Sequence, residues 1–202
     1  LLEIFKKSQK MKKIIILLAI ALLPTAGVFA QTTWKVDKMH SQIKFTITHL
    51  AVSDVEGVFK DFDVTIVSSK PDFSDAKFTL VAQTASVNTE NEKRDEDLRS
   101  PNFFEVSKYA TMNFTSTGIT KVSANKYKLK GNLTLHGVTK PVTMDLWYRG
   151  TITNPMSKAD DAGFQLTGEI KRSDFGFGAK YGSPMLSDEV QIKANGEFAK
   201  AN

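Results

Sequence analysis

The chain has 202 residues, a formal charge of +5 and no cysteine. Disulfides, thiolate metal sites and lipid attachment through a cysteine are therefore excluded, and the fold must hold by its core alone. The basic balance is local: the first thirty residues hold five lysines against one glutamate, which leaves +1 for residues 31–202. A nearly neutral domain has no global electrostatic reason to bind nucleic acid or an anionic membrane surface.

In chain order, residues 1–10 read as an upstream extension. Met11-Lys12-Lys13 and the apolar run from Ile14 to Leu23 then follow the plan of a secretory signal, and Val28-Phe29-Ala30 supplies the small residues of a cut after Ala30. A retained membrane anchor is the rival, but the run is roughly half of the ~20 residues that a spanning helix needs. Residues 31–202 are thus expected as one exported domain, periplasmic or secreted, without stable membrane insertion. That length buries a sizeable core in a single unit.

From Thr32 onward apolar and polar residues alternate with the period of strands that have one dry and one wet face. After an opening strand around Trp34 and Val36 come Ile43, Phe45 and Ile47, then Phe62, Val64 and Ile66, then Phe78, Leu80 and Ala82. Met112 with Phe114 follows, then Tyr127, Leu129, Leu133 and Leu135, then Val142, Met144, Leu146 and Tyr148. Phe164, Leu166 and Ile170, then Val190, Ile192, Ala194 and Phe198, close the series. About eight or nine such strands predict an all-β fold, an antiparallel lipocalin-like barrel, with a two-sheet sandwich as the alternative. His136-Gly137 reads as a tight hairpin turn, and Lys70-Pro71-Asp72 as a break between strands. Between strands, Thr89 with Glu92 and Asn102 with Glu105 have capping-box spacing, so one or two short helices are expected to cap one end. Lys126, Lys128 and Lys130 form an outward, solvated row.

The inward phase mixes aromatics with Gly131, Gly150, Gly168, Gly196, Ala76, Ala82 and Ala194. Small residues occur where strands coil or where something else needs the volume, so the interior is either a lined cavity or a filled core. For a cavity, strand phase puts Phe45, Ile47, Phe62, Phe78, Leu80 and Phe114 on the wall, with Leu133, Met144, Leu146, Phe164 and Leu166. Phe103 and Phe104 would form the rim of a portal, with Phe175 and Phe177 as rim or core. Arg172 continues the inward phase of Phe164, Leu166, Gly168 and Ile170. It either closes one barrel end, stacking on Trp34 or pairing with a carboxylate, or holds a ligand's polar head.

The remaining chemistry is sparse. His40, His49 and His136 are the only histidines, which gives no metal-ligand pattern. Asp37, His40 and Ser41 have the residue types of a nucleophilic triad, but crowded in sequence and without a nucleophile elbow. Neither an enzyme nor a cofactor is expected.

Several motifs in order resemble the YceI-like proteins across essentially residues 31–202. They are Trp34-Lys35-Val36-Asp37 with His40-Ser41 and His49-Leu50, then Gly57-Val58-Phe59, then Arg94-Asp95 before Leu98. Arg99-Ser100-Pro101-Asn102-Phe103-Phe104, Lys108-Tyr109, Gly131-Asn132-Leu133-Thr134 and His136-Gly137-Val138-Thr139-Lys140-Pro141-Val142 continue the match, and Arg172-Ser173-Asp174-Phe175-Gly176 and Ser187-Asp188-Glu189-Val190 complete it. The resemblance implies an exported bacterial barrel that binds a polyisoprenoid or similar long-chain lipid in a central channel. Asp97 stands where the family commonly has a histidine, which turns the expected head group from pyrophosphate toward neutral quinones or fatty amides. The expected role is a carrier or reservoir for such a lipid, with a homodimer left open. The alternative is a filled barrel serving as a stress-related or protein-interaction module, and a third reading is an enzyme acting on the channel lipid.

Overall fold

The computed structural model describes residues 30–201, so the expected upstream extension and almost all of the expected signal segment lie outside the described residues. Eleven strands form one antiparallel sheet: β1 (Thr32–Val36), β2 (Gln42–His49), β3 (Ser53–Phe59), β4 (Phe62–Ser68), β5 (Lys77–Gln83), β6 (Val87–Asn88), β7 (Thr111–Ser123), β8 (Lys126–Leu135), β9 (Val138–Thr153), β10 (Asp160–Lys171) and β11 (Leu186–Lys200).

The first six strands behave as three long bent staves. Along β11, β2 pairs from Leu186 to Asn195 and β1 takes over from Phe198 to Lys200. In the same way β2 and β1 pair with β3 and β4, and β3 and β4 pair with β6 and β5. Each stave is broken at the same height, at residues 37–41, at 60–61, and in a short 3-10 turn at Thr84–Ser86. Hydrogen bonds run across the breaks: Asp37 N donates to Glu197 O (2.8 Å), Lys60 N to Ser86 O (3.1 Å) and Gln83 N to Asp61 O (2.9 Å). Bending the wall there leaves few backbone groups unpaired. With β7 to β11 the three staves make eight, and β11 closes the ring onto β1 and β2. Closure excludes the sandwich alternative. It also removes most free edges, the liability of an open sheet.

The β8–β9 turn is the two-residue hairpin expected, with φ of 51° at His136 and 75° at Gly137 and Leu135 opposite Val138. Of the one or two short helices expected from capping boxes, one is present among the described residues. Helix α1 (Glu92–Arg99) is capped by Asn91, whose side chain accepts from Arg94 N, rather than by Thr89. Residues 101–107 stay in overlapping turns: Phe104 N donates to Leu98 O (2.9 Å) and Glu105 N to Ser100 O (3.0 Å). These bonds tie the segment back to α1 and use the donors that a second helix would need.

The two ends of the barrel differ. The floor end carries the β4–β5, β7–β8 and β9–β10 connections. There Phe73 enters from the β4–β5 loop and lies 5.3 Å from Trp34, 4.9 Å from Tyr148 and 5.0 Å from Phe164, ring centre to ring centre. Phe164 also meets Phe78 and Phe198 at 5.6 and 5.7 Å. The aromatic side chains fill that end solidly. The mouth end carries the β2–β3, β8–β9 and β10–β11 connections and is covered by residues 89–110.

A candidate ligand cavity in the upper barrel

Above the aromatic floor the staves enclose a cavity of about 440 Å³ with a predominantly apolar wall, a volume in the range of small-ligand sites. Phe45 and Ile47 face it from β2, Phe62 from β4, Phe78 and Leu80 from β5, and Phe114 from β7. Leu133 of β8, Met144 and Leu146 of β9, and Phe164 and Leu166 of β10 complete the expected strand wall. Phe103 and Phe104 close over it, Phe103 stacked on Tyr181 at 5.2 Å and Phe104 on Phe177 at 5.3 Å. Phe175 is buried core and does not line the cavity. Met112, Leu129, Ile170, Val190 and Ile192 also line the wall and share the same strand phase, so the alternation could have named them. Tyr181 and Met185 come from the β10–β11 connection, where no sequence signal marks them, and Leu98, from α1, stands only in the family motif.

The glycines on the inner face do something other than leave room for a ligand. A Cβ at Gly57 would stand 2.3 Å from the ring of Phe45, one at Gly131 would stand 2.3 Å from Phe114, and one at Gly168 would strike the sulfur of Met144. Each glycine is a seat that lets a neighbour's large side chain lie flat against the wall. The wall is lined with aromatics, yet the middle stays open. Of the small residues expected inside, Ala194 and Gly196 border the cavity, whereas Gly150, at φ 126°, has nothing near its Cβ position.

Arg172 lies on the wall but is only 5% exposed. Its Nε donates to Ser187 O (2.9 Å), Nη1 to Gly178 O (2.8 Å) and Phe177 O (3.4 Å), and Nη2 to Tyr181 O (2.9 Å) and Leu186 O (3.3 Å). The planar fork thus gathers five carbonyls, three from the β10–β11 connection and two from the start of β11, which only arginine can do. Burial pulls its pKa below the ordinary arginine value, with Asp188 acting in the opposite sense. This corrects the expected partners: Trp34 packs on Phe73, and Asp188 accepts from Ser173 N (2.9 Å) and Oγ (2.6 Å) instead. Arg172 closes the barrel by organising backbone.

Polar side chains line the cavity in two places: Ser41, Gln42, Lys44 and Asn195 near the stave break, and His49, Thr89, Arg94 and Asp97 at the mouth end. Arg94 Nε and Nη2 donate to Thr89 Oγ1 (2.7 Å) and Thr89 O (2.8 Å), while Thr89 N and Oγ1 donate to the buried Asp95 (2.9 and 2.6 Å). Asp97 accepts from Asn102 Nδ2 at 2.8 Å. His49 continues the inward phase of Phe45 and Ile47 onto the same wall. Three lining residues are exposed: Arg94 and Met185 at the mouth, and Gln42 beside the stave break.

The triad-like cluster does not assemble. His40 Nδ1 lies 2.8 Å from Asp37 Oδ2 on the exposed surface, an interaction that raises the histidine pKa and lowers that of the aspartate. Ser41 Oγ instead donates to Glu197 O (3.4 Å) and accepts from Glu197 N (3.0 Å), pinning β2 to β11 across the break. His136 packs against Tyr109 at 4.5 Å, with Glu105 3.7 Å from Nε2. Among the described residues no group of three histidine, aspartate or glutamate side chains is placed to hold a metal.

An antiparallel barrel of eight staves, packed at one end and hollow and apolar toward the other, is a barrel of the lipocalin-like, ligand-holding type. The chain belongs to the YceI-like domain family, which it matches over residues 34–198. It is 39% identical over 191 residues to a UPF0312 protein of Serratia proteamaculans (strain 568), covering 94% of this chain and 98% of the relative. A UPF0312 protein of Staphylococcus aureus (strain MSSA476) is 36% identical over 172 residues, 83% of this chain and 98% of the relative. Among solved structures, the Campylobacter jejuni YCEI protein is 35% identical with a TM-score of 0.71, covering 77% of this chain and 90% of that one. A polyisoprenoid binding domain from Saccharophagus degradans, implicated in plant cell wall breakdown, shares the fold at 17% identity and a TM-score of 0.64, over 83% of this chain and 98% of that one.

Proposed function

We propose that this protein is an exported carrier or reservoir that holds one long-chain apolar or amphipathic lipid in the upper barrel. A polyisoprenoid, an isoprenoid quinone and a fatty amide are the ligand classes. The single observation that carries this reading is the hollow between the aromatic floor and the Phe103–Phe104 cover. Such a space, left dry, forfeits packing on all its faces, and a hydrocarbon chain restores it at about 0.8 kcal/mol per buried methylene before ordering costs. The name of the Saccharophagus degradans neighbour supports the same class of ligand. The family is one of binding proteins, which argues against catalysis on the bound lipid. Export rests on the signal-like run at residues 11–30.

We assign the head group to the mouth-end polar cluster of His49, Thr89, Arg94 and Asp97, and not to Arg172, whose N–H groups are all engaged by carbonyls. With Asp97 on that wall, a neutral head is favoured over a pyrophosphate. The test is to purify the protein without detergent, extract it with organic solvent, and weigh native protein and extract by mass spectrometry. A single co-purified lipid near one per protein is the expected result. Lipid-free protein that takes up no isoprenoid alcohol, quinone or fatty amide would end the carrier reading and leave the interaction-module alternative.

A further inference from the structure

The β4–β5 loop does more than join two strands. At its centre Phe73 turns back into the barrel, 2% exposed, with φ at 57°. An aromatic residue takes that left-handed conformation only where its surroundings impose it. They do so here on both flanks. Asp75 accepts from Ser68 Oγ (2.5 Å), Ser69 N (3.0 Å), Lys70 N (3.3 Å) and Ser69 Oγ. Asp72 is held by Lys121 Nζ on its carboxylate (3.0 Å) and by Tyr127 Oη on its carbonyl (2.5 Å). The anchored ring packs under Phe164, and Phe164 with Phe78 and Phe198 bounds the cavity from below.

The hollow therefore ends at one ring that is backed by another. From Phe164 in β10 to Arg172 just beyond its end the wall runs eight residues. At about 3.4 Å per residue and a tilt near 40°, that is roughly 20 Å of depth, the reach of an extended chain of about 16 carbons.

We propose that Phe73 is the length stop of the cavity: a chain enters from the mouth end, its tip halts on Phe164 backed by Phe73, and this sets the longest single chain that the protein buries. The inference rests on the lipid-carrier reading and adds to it a ligand class, a single chain with about 16 buried carbons. Chains beyond the stop leave their excess outside the barrel, where it gains nothing.

The test is an affinity series of saturated primary amides from ten to twenty-two carbons on the lipid-free protein, read by displacement of a fluorescent fatty-acid analogue. Within the limit each methylene should raise affinity up to about fourfold, and past it the gain should stop. In Phe73→Ala, and more weakly in Phe73→Leu, the break should move to longer chains by several carbons. Val122→Ser, on an exposed position remote from the cavity, should leave the break in place. An unbroken wild-type slope to the longest amide overturns the proposal, as does a break at the same length in wild type and in a folded Phe73→Ala. If Phe73→Ala does not fold, Phe164→Leu beside the wild-type series decides in the same way. Failure of every amide to bind would sink the carrier reading itself, a different result from binding without a break.

Discussion

The two ends of this barrel are built from the same staves with the same alternation, yet one is solid and the other hollow. The difference does not lie in the size of the inward side chains, since Phe45, Phe59, Phe104 and Phe114 face the hollow end and Trp34, Phe78, Tyr148 and Phe164 the solid one. It lies in where those side chains go. At the floor a loop contributes Phe73, which meets three aromatic rings at about 5 Å. In the upper half the rings of Phe45 and Phe114 lie flat over Gly57 and Gly131. A barrel of this size becomes a container when its large residues are seated against the wall, and a core when a plug reaches its axis.

The sharpest way to break the comparison is paired truncation. Trp34→Ala removes a side chain from a packed cluster and should cost about 3–5 kcal/mol in guanidinium unfolding of the lipid-free protein. Phe45→Ala, whose half-buried ring already borders empty space, should cost about 1–2 kcal/mol. Equal losses at the two positions would mean that the halves are not energetically distinct.

Arg172→Lys comes next. The ammonium keeps the charge but can satisfy at most three of the five carbonyls, and each left unmade inside the protein carries a desolvation penalty. A loss of about 2–3 kcal/mol is expected, with the β10–β11 connection gaining fast hydrogen exchange while residues around Phe73 keep their protection.

Acid should loosen the floor as the carboxylates of its loop protonate. A hydrogen bond from Lys121, then those from Ser74, hold the Asp72 carboxyl at about 2. Burial alone would raise Asp75, but hydrogen bonds from Ser68, Ser69 and the loop amides outweigh it and hold that group at about 2 as well. Both folded values lie below the ordinary 3.8. The stabilisation is therefore complete above about pH 4 and is lost as pH falls toward about 2. Both groups are partly exposed, so the effect is modest. It should be seen as a drop in the near-ultraviolet circular dichroism of the aromatic floor across that window, flattened in Asp75→Asn. An equal acid loss in that variant would show that the loop is anchored by something else.

The smallest stability change should come from filling the hollow. Leu80→Trp adds volume where space exists, so the unfolding free energy should stay within about 1 kcal/mol of wild type. Lipid uptake should meanwhile fall by tenfold or more in the same displacement assay. Undiminished uptake would place the ligand elsewhere.

Much of this molecule was legible before its structure. Alternation named inward residues in every stave, and each strand residue expected on the wall, from Phe45 to Leu166, lies on the cavity, but it passed over β3 and β6 and so missed Val55 and Phe59. A period of two states which side chain faces inward until a bulge shifts it: the stave breaks fall between runs, but the extra residue Arg149 between Tyr148 and Gly150 takes Gly150 out of the inward phase. The same alternation could not say what stands across the barrel from each residue. That Phe73 would plug the floor, that glycines would seat rings, that Arg172 would take five carbonyls rather than Trp34 or a carboxylate, and that one helix rather than two would cap the mouth were decided by tertiary structure. Each depends on groups far apart in the chain, or on loop backbone whose hydrogen bonds have no periodic signature. Facing inward is a local property of the chain, whereas filling the interior is a property of the closed barrel.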